Sequence, residues 1–563
     1  MRGRERRFEL WVPFQIFVCL LLAAGMASAQ SAKGAGANPN ASEIPTVRFE
    51  NGVGQILVHG KPFLILGGEL GNSSAGTAAQ ADEILPRLAK LHFNTVLTPV
   101  AWAEIEPAEG HFDFSILDHW IDVARQNNIH IVILWFGSWK NAFSEYAPGW
   151  VKADVTRFPR AISAEGPLEI LSTFGNETQR CDSRAFAALM AHVREKDAAQ
   201  QTVLMVQVEN EIGYLGRGGR DRSKVANQAF ESAVPTELVQ SLEKNRLKMA
   251  PELAANFNAD GHTWKEMFGG SADEAFMAWH YGTYVNNVVE AGKKEYALPM
   301  YMNAQLPAPG ERSGDYPSGG PNPYNLDIYR AAAPAVDFYA PDIYWPNFDY
   351  WVQRYKAAGN PAFIPEARLD SAPANALYAY GEGMAFGFSP FAVDSLPLVE
   401  NKPEDHPTMG DVYGTLSHLS NQILEAQQKH KIRGLALHVA SLRPRQTVSL
   451  GGYLFEASLS RSWPSNALAT QNGAMLVMQT GADDFYVVGS GLTVTFYRDP
   501  DVDNEIAGID SIQQMANISG TWQLVGELNG DQSDQGRRLL MAAHEMNVYR
   551  VKLYSYKRDA AAR

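Results

Sequence analysis

Between residues 46 and 431, apolar runs of strand length alternate with amphipathic stretches of helix length, and this alternation constrains the fold more than any other feature of the chain. The strand candidates are residues 63–70, 94–102, 130–139, 202–212, 299–306, 337–345, 362–369 and 383–391, eight in all. Helices are expected between them, at 81–92, 117–127, 183–198 and 349–358 among others, with a last one from about 411 to 430. Near-continuous apolar strands joined by helices make a parallel sheet buried on both faces. Eight such units predict an α/β fold of the closed (β/α)8 TIM barrel type. After residue 432 the pattern changes to short strands with turn residues between them, at 435–440, 474–480, 484–488, 492–497, 522–528 and 548–554. A helix is expected there only at 508–515. Residues 432–563 therefore read as a C-terminal antiparallel β-sandwich-like domain.

The N-terminus reads differently from everything after it. Arg2, Arg4, Arg6 and Arg7 precede an apolar run at 11–24, and Ala27-Ser28-Ala29 offers a cleavage site before Gln30. Residues 1–29 are thus expected to be a signal peptide, followed by a flexible leader over 30–45, and the mature chain to be periplasmic or extracellular. Cys19 lies in the apolar run, so only Cys181 remains and no internal disulfide is possible; core burial must stabilise the fold. No later run is long and apolar enough to span a bilayer. A net charge of −14 argues against nucleic-acid and anionic-membrane partners, which reward basic patches. The 12 Trp and 22 Tyr suit a carbohydrate partner, because aromatic faces stack on sugar rings.

In a barrel of this kind the chemistry sits at the C-terminal ends of the strands. Those ends read Gly67-Gly68-Glu69, Val100-Ala101-Trp102, Trp135 to Trp139, Glu209-Asn210-Glu211, Asn303-Ala304-Gln305, Asp342-Ile343-Tyr344-Trp345 and Glu366-Ala367-Arg368. Carboxylates, amides and aromatics dominate. With no His cluster, Cys pair or phosphate-binding glycine fingerprint there, no metal or organic cofactor is implied. Two carboxylates facing each other across a sugar are what glycoside hydrolysis needs. Glu211 and Glu366 end the fourth and seventh strands at a similar radius, which can bring them to about the 5–5.5 Å of a retaining pair. Glu209 lies two residues from Glu211, and period two points both to the same side; the residues alone do not choose between them. Glu69, Asn303 and Tyr344 are candidates for sugar hydroxyls, although Glu69 could equally pair structurally. Among Trp102, Trp135, Trp139 and Trp345, at least one is expected to stack on substrate, with Trp139 and Trp345 the candidates. Asp342 is assigned a structural role. The long unit at 215–295 carries a basic Gly-rich loop, Gly216 to Arg222, which reads either as a wall of the site or as a solvated loop.

The string Gln207-Val208-Glu209-Asn210-Glu211-Ile212-Gly213 resembles the Gln-x-Glu-Asn-Glu-x-Gly motif of glycoside hydrolase family 35, the β-galactosidases. Trp102, Glu106-Pro107, Gly110 and Phe112-Asp113-Phe114 resemble that family's second-strand signature, and Gly67-Gly68-Glu69 the end of its first strand. Residues 220–235 resemble its bacterial branch with an extra C-terminal β-domain. Ala103-Glu104-Ile105 depart from the Asn-x-His usual before Glu-Pro. The resemblance implies Glu211 as acid/base, Glu366 as nucleophile, Asn210 as a substrate-binding amide and Glu209 as a supporting residue. The activity it implies is retaining, exo-acting release of terminal β-D-galactose, with plant cell-wall galactosides as substrates for an exported enzyme. Two rival readings stand beside it: another retaining β-glycosidase acting on glucosides, arabinopyranosides or fucosides, and a non-catalytic carbohydrate-binding protein.

Overall fold

Barrel strands β1 (Ile65–Glu69), β2 (Thr95–Ala101), β3 (His130–Lys140), β4 (Val203–Asn210), β5 (Met300–Gln305) and β6 (Phe338–Ile343) pair in parallel, each with the next. β7 is in two pieces, Phe363–Ile364 and Glu366–Ala367, on either side of Pro365. The first piece pairs with β8 (Gly387–Phe388), the second with β6, and β8 pairs back to β1, so the ladder closes on itself. Proline has no N–H for a ladder, and here it stands where the strand changes partner. The structure is a computed structural model that describes residues 44–396, 406–440, 443–462, 465–500 and 504–561. The expected signal peptide at 1–29 and nearly all of the leader at 30–45 lie outside these residues.

Burial at both faces of the strands explains their continuous apolar character. Inside, Ile65, Leu97, Val132, Leu134, Leu204, Tyr301, Phe338 and Phe363 form one cluster. Ile56 and Val58 join it from a small antiparallel sheet of Thr46–Glu50, Val53–Val58 and Lys61–Phe63. Outside lie helices α1 (Ala78–Lys90), α2 (Ser115–Gln126), α3 (Asn176–Asp197), α4 (Ala272–Glu295), α5 (Leu326–Ala332), α6 (Phe348–Ala357) and α7 (Ala372–Tyr380). α1 begins at a capping box between Thr77 and Gln80 and buries Ala81, Ile84, Leu85 and Leu88, one face at helical spacing. The expected helix at 411–430 is two, Met409–Ser417 and Ser420–Gln428.

From β9 (Ile432–His438) onward the chain is antiparallel. The remaining strands are β10 (Arg445–Leu450), β11 (Tyr453–Leu459), β12 (Asn472–Gln479), β13 (Asp484–Ser490), β14 (Leu492–Arg498), β15 (Glu505–Ile518), β16 (Thr521–Glu527), β17 (Arg538–Leu540) and β18 (Asn547–Lys557). They form a six-stranded sheet, ordered β9-β12-β13-β18-β15-β16, and a four-stranded one, β10-β11-β14-β17. The helix expected at 508–515 is instead part of β15. A bulge between Ile509 and Ser511 shifts that strand's register against β18 and so breaks the two-residue alternation that marks a strand in sequence.

The six-stranded sheet is apolar on both faces. Met475 and Val477 of β12 point into the sandwich core with Phe455, Phe485 and Val494. Their alternates Ala474, Leu476 and Met478 belong to the barrel's outer core, where α7 lies against β9 and β12. The contact is closest at two glycines: a Cβ on Gly434 would stand 2.8 Å from the Leu377 carbonyl oxygen and 3.0 Å from the Glu382 nitrogen, both backbone atoms beside Gly381. Gly434→Val is therefore expected to push β9 off α7 and cost about 1–3 kcal/mol. In thermal melting this would lower the midpoint of a single transition shared by barrel and sandwich. An unchanged midpoint would mean the contact is slack.

Candidate active site

The ends of β3 and β4 leave regular strand geometry together. Asn141 and Ala142 after β3, and Glu209 and Glu211 at the end of β4, all have positive φ, between 43° and 68°. Four non-glycine residues in this region at facing strand ends mark a strained stretch held by its surroundings. One consequence corrects the sequence reading. With Glu209 at φ 62°, period two no longer holds, and Glu209 and Glu211 point to different places.

Glu209 turns away from the barrel mouth. Its carboxylate accepts the backbone N–H groups of Ser138 at 3.1 Å and Trp139 at 2.7 Å, and it meets Asp182 of α3. Asp182 in turn accepts from Ser138 Oγ, Trp135 Nε1 and the Tyr284 hydroxyl. Burial pushes both carboxyls up, and so close a pair holds a proton between its members. Gly137 lies against this pair; a Cβ there would stand 2.7 Å from Glu209 Oε1 and 2.9 Å from Asp182 Oδ1, so a side chain has no room. Glu106 of the Glu-Pro motif is likewise occupied, accepting Trp102 Nε1 at 2.9 Å, the Gly110 N–H and the Arg184 guanidinium.

Glu211 faces a pocket of about 320 Å³ at the C-terminal mouth of the barrel, lined by Asn72, Lys140, Asn141, Glu211, Gln305, Leu306, Asp342, Tyr344, Trp345, Glu366 and Phe391. One oxygen each of Glu211, Asp342 and Glu366 lies within 4.8 Å of the other two. The cation the fold supplies is the ammonium of Lys140, which donates to Asn210 Oδ1 at 2.9 Å. Glu366 is the best-supplied acceptor. The Tyr344 hydroxyl donates to its Oε2 at 2.7 Å, and Asn210 and Asn303 amides donate to its Oε1 at 3.2 and 3.4 Å. Glu211 accepts from the Asn141 amide, and its own N–H is fixed by Asn303 Oδ1 at 2.9 Å. Burial, followed by the Glu366 charge, pushes the Glu211 carboxyl up to about 8 against the opposing pull of Lys140. Burial also raises Asp342 and Glu69 well above the usual carboxylate range, with Glu366 adding to both. For Lys140 burial works against the charge, but the surrounding carboxyls outweigh it and its pKa is raised.

The predicted site residues therefore divide. Glu211, Glu366, Tyr344 and Trp345 line the pocket. Trp345 is 37% exposed, with its indole N–H on the Leu306 carbonyl, and is the one predicted tryptophan free to offer a face. Asn210 and Asn303 lie beneath, their amides spent on Glu366, Lys140 and Asp342. Glu69 does not reach the pocket. It is fully buried behind Glu366, and neither carboxyl oxygen has a hydrogen-bond partner unless Glu69 itself carries a proton. Trp139 is corrected outright: it packs between Tyr281 and Tyr284 in the core, its N–H on Leu171, as Trp102 and Trp135 are also wholly buried. Asp342, assigned to structure, is in the site. Lys140 was missed, although a lysine ending an apolar barrel strand demands a carboxylate partner. The Gly216–Arg222 loop gives no residue to the pocket; Arg220 stacks 4.0 Å over Phe230 and pairs with Asp273 at 3.1 Å.

Residues 73–260, which include Glu211 and stop short of Glu366, match glycoside hydrolase family 42, described as β-galactosidase. The family-35 resemblance drawn from the fourth-strand motif is thereby corrected; the matching family is another one, and what stands is a glycoside hydrolase on a TIM barrel. Residues 409–540 match a domain of unknown function, DUF5597. No curated protein matches the chain. Similar solved structures include the catalytic domain of β-amylase from Paenibacillus polymyxa, 12% identical with a TM-score of 0.43 over 64% of this chain and 97% of that one. β-Galactosidase from Marinomonas ef1 is 11% identical with a TM-score of 0.40, over 63% of this chain and 60% of that one. β-Mannanase from the blue mussel Mytilus edulis is 12% identical with a TM-score of 0.38, over 63% and 93%.

Proposed function

We propose that the protein is an exo-acting β-galactosidase that releases terminal non-reducing β-D-galactose with net retention. The observation that carries this reading is the Glu211–Glu366 pair. One oxygen of each lies within 4.8 Å of the other, which supports the close carboxyl pairing of about 5–5.5 Å used in double displacement over the roughly 6.5–9.5 Å that leaves room for an inverting water. Galactose as the sugar is supported by the description of the matching family. Exo action is supported by a pocket with room for one sugar ring and the start of the next. With residues 1–29 read as a signal peptide, the enzyme acts outside the cytoplasm, and galactose-bearing plant cell-wall polysaccharides are its substrates.

Glu211, held protonated by burial and by the Glu366 charge, gives its proton to the glycosidic oxygen. Glu366 attacks the anomeric carbon as that bond breaks, forming a galactosyl ester, and the aglycone leaves as an alcohol. Glu211, now ionised, takes a proton from water as the water oxygen attacks the anomeric carbon; the bond from that carbon to Glu366 breaks, releasing galactose and the Glu366 carboxylate. The Tyr344 hydroxyl and the two amides orient Glu366 for attack. For its amide to reach the 2-hydroxyl, Asn210 first has to release Glu366. Trp345 offers a stacking face to the ring or to the leaving sugar.

Initial rates on nitrophenyl β-galactoside, β-glucoside, β-fucoside and α-arabinopyranoside test the sugar. A clear β-galactoside preference is expected; preference for another sugar would overturn galactose and keep the mechanism. Azide rescue tests the roles of the two carboxyls. Glu211→Ala is expected to lose about 10²–10⁴ in rate and, with azide, to give the β-galactosyl azide. Glu366→Gly should lose more and give the α-azide, and exchanged products would exchange the assignments.

The alkaline side of the pH profile follows from Glu211. Its protonated form is the active one in the first step, so kcat/KM is present below its pKa and falls as pH rises past about 8. A limb that stayed near the ordinary carboxylate range would mean Glu211 is not the acid.

A further inference from the structure

Asp342 and Glu366 are direct neighbours across the parallel β6–β7 ladder. Two like charges in that position repel, and both side chains are buried, Asp342 at 1% exposure and Glu366 at 3%. The donors are shared out unequally. Glu366 receives three, whereas Asp342 receives one, Asn303 Nδ2 on its Oδ2 at 2.6 Å. Its Oδ1 is buried with no partner. Yet Asp342 has oxygen within 4.8 Å of both Glu366 and Glu211.

The groups that face Asp342 are Glu366 on β7, Glu211 beyond β4, Glu69 on β1, Lys140 on β3 and the hydroxyls of Tyr301, Tyr344 and Tyr355. One ammonium cannot balance four carboxylates out of water. With Lys140 charged and Glu366 ionised for attack, the cluster is neutral only if Glu69, Glu211 and Asp342 all hold protons. In the glycosyl-enzyme Glu366 is an ester and Glu211 is ionised. The cluster is then neutral again only if Glu69 and Asp342 keep theirs.

We propose that Asp342 is a positioning residue that remains a neutral acid through the whole cycle, its O–H bonded to Glu211, which its side chain already meets in the free enzyme, beside Glu366. The orphaned Oδ1 carries that proton, while Oδ2 stays on Asn303. No proton leaves Asp342; its hydrogen bond to Glu211 strengthens as that carboxyl takes up the negative charge in the glycosyl-enzyme. This rests on the double-displacement reading above.

The test compares Asp342→Asn with Asp342→Ala on nitrophenyl galactoside and reads the infrared carbonyl band of neutral carboxylic acids at neutral pH. Asparagine can accept from Asn303 and donate from its amide, as the neutral acid does. Asp342→Asn is therefore expected to retain about a tenth of the wild-type kcat and to keep its alkaline limb, whereas Asp342→Ala loses about 10²–10³. A neutral-acid band present in the wild type should be lost in Asp342→Asn. An asparagine variant as slow as the alanine one, or no change in the band, would overturn the proposal. The band needs no turnover. Near-wild-type turnover of Glu366→Gly would separately overturn the double-displacement reading.

Discussion

The mouth of the barrel is governed by a charge imbalance: four buried carboxyl groups, Glu69, Glu211, Asp342 and Glu366, around the single ammonium of Lys140. In water such a set would ionise fully. Here burial makes each negative charge costly unless something meets it, so hydrogen-bond donors decide which carboxyl is ionised. Tyr344, Asn210 and Asn303 converge on Glu366 and single it out. Glu69, with no donor at all, lies at the other extreme. Glu211 falls between, with the Asn141 amide and the Asp342 carboxyl against it and its pKa up at about 8. In the proposed reaction, the division between acid and nucleophile is thus set by the neighbours of two chemically identical side chains.

Holding that arrangement requires strand ends that do not behave as strands. Asn141, Ala142, Glu209 and Glu211 sit at positive φ, which costs of order 1–3 kcal/mol each unless the surroundings fix it. They are fixed by buried bonds: Glu209 on the Ser138 and Trp139 N–H groups, and Asn303 Oδ1 on the Glu211 N–H. The wider support is the doubly apolar C-terminal sheet. Its outer residues Leu476 and Met478 share a core with α7, the helix that follows the strand bearing Glu366.

What could be read from the sequence followed from periodicity, and what could not followed from its failure. Eight buried strands leave eight apolar runs, so the barrel and the places of Glu211 and Glu366 were legible. Glu209 and Glu211 were inseparable because period two assigns them one side; the φ change that parts them leaves no mark in composition. The same irregularity hid Trp139 and Lys140. Alternation along β3 breaks after Trp135, where its pairing with β4 shifts, so the tryptophan enters the core and the lysine the pocket. Asp342 reads as structural from sequence because its place beside Glu366 comes from a pairing register between strands that one strand's sequence does not contain.

The Glu209-Asn210-Glu211 string shows why a short motif reports chemistry better than family. Each residue in it answers a geometric demand. Glu209 ties the irregular end of β3 to β4, Asn210 links Lys140 to Glu366 through its two amide atoms, and Glu211 faces the pocket. A barrel that must hold two carboxyls at this distance, one protonated and one not, can meet those demands with the same three residues whatever its ancestry. The string is therefore strong ground for paired-carboxylate glycoside chemistry and weak ground for one family over another. It is the wider stretch of 73–260, loops and helices included, that carries the family signal. Asn72, Gln305 and Trp345 line the same pocket and lie outside both the string and the carboxyl cluster.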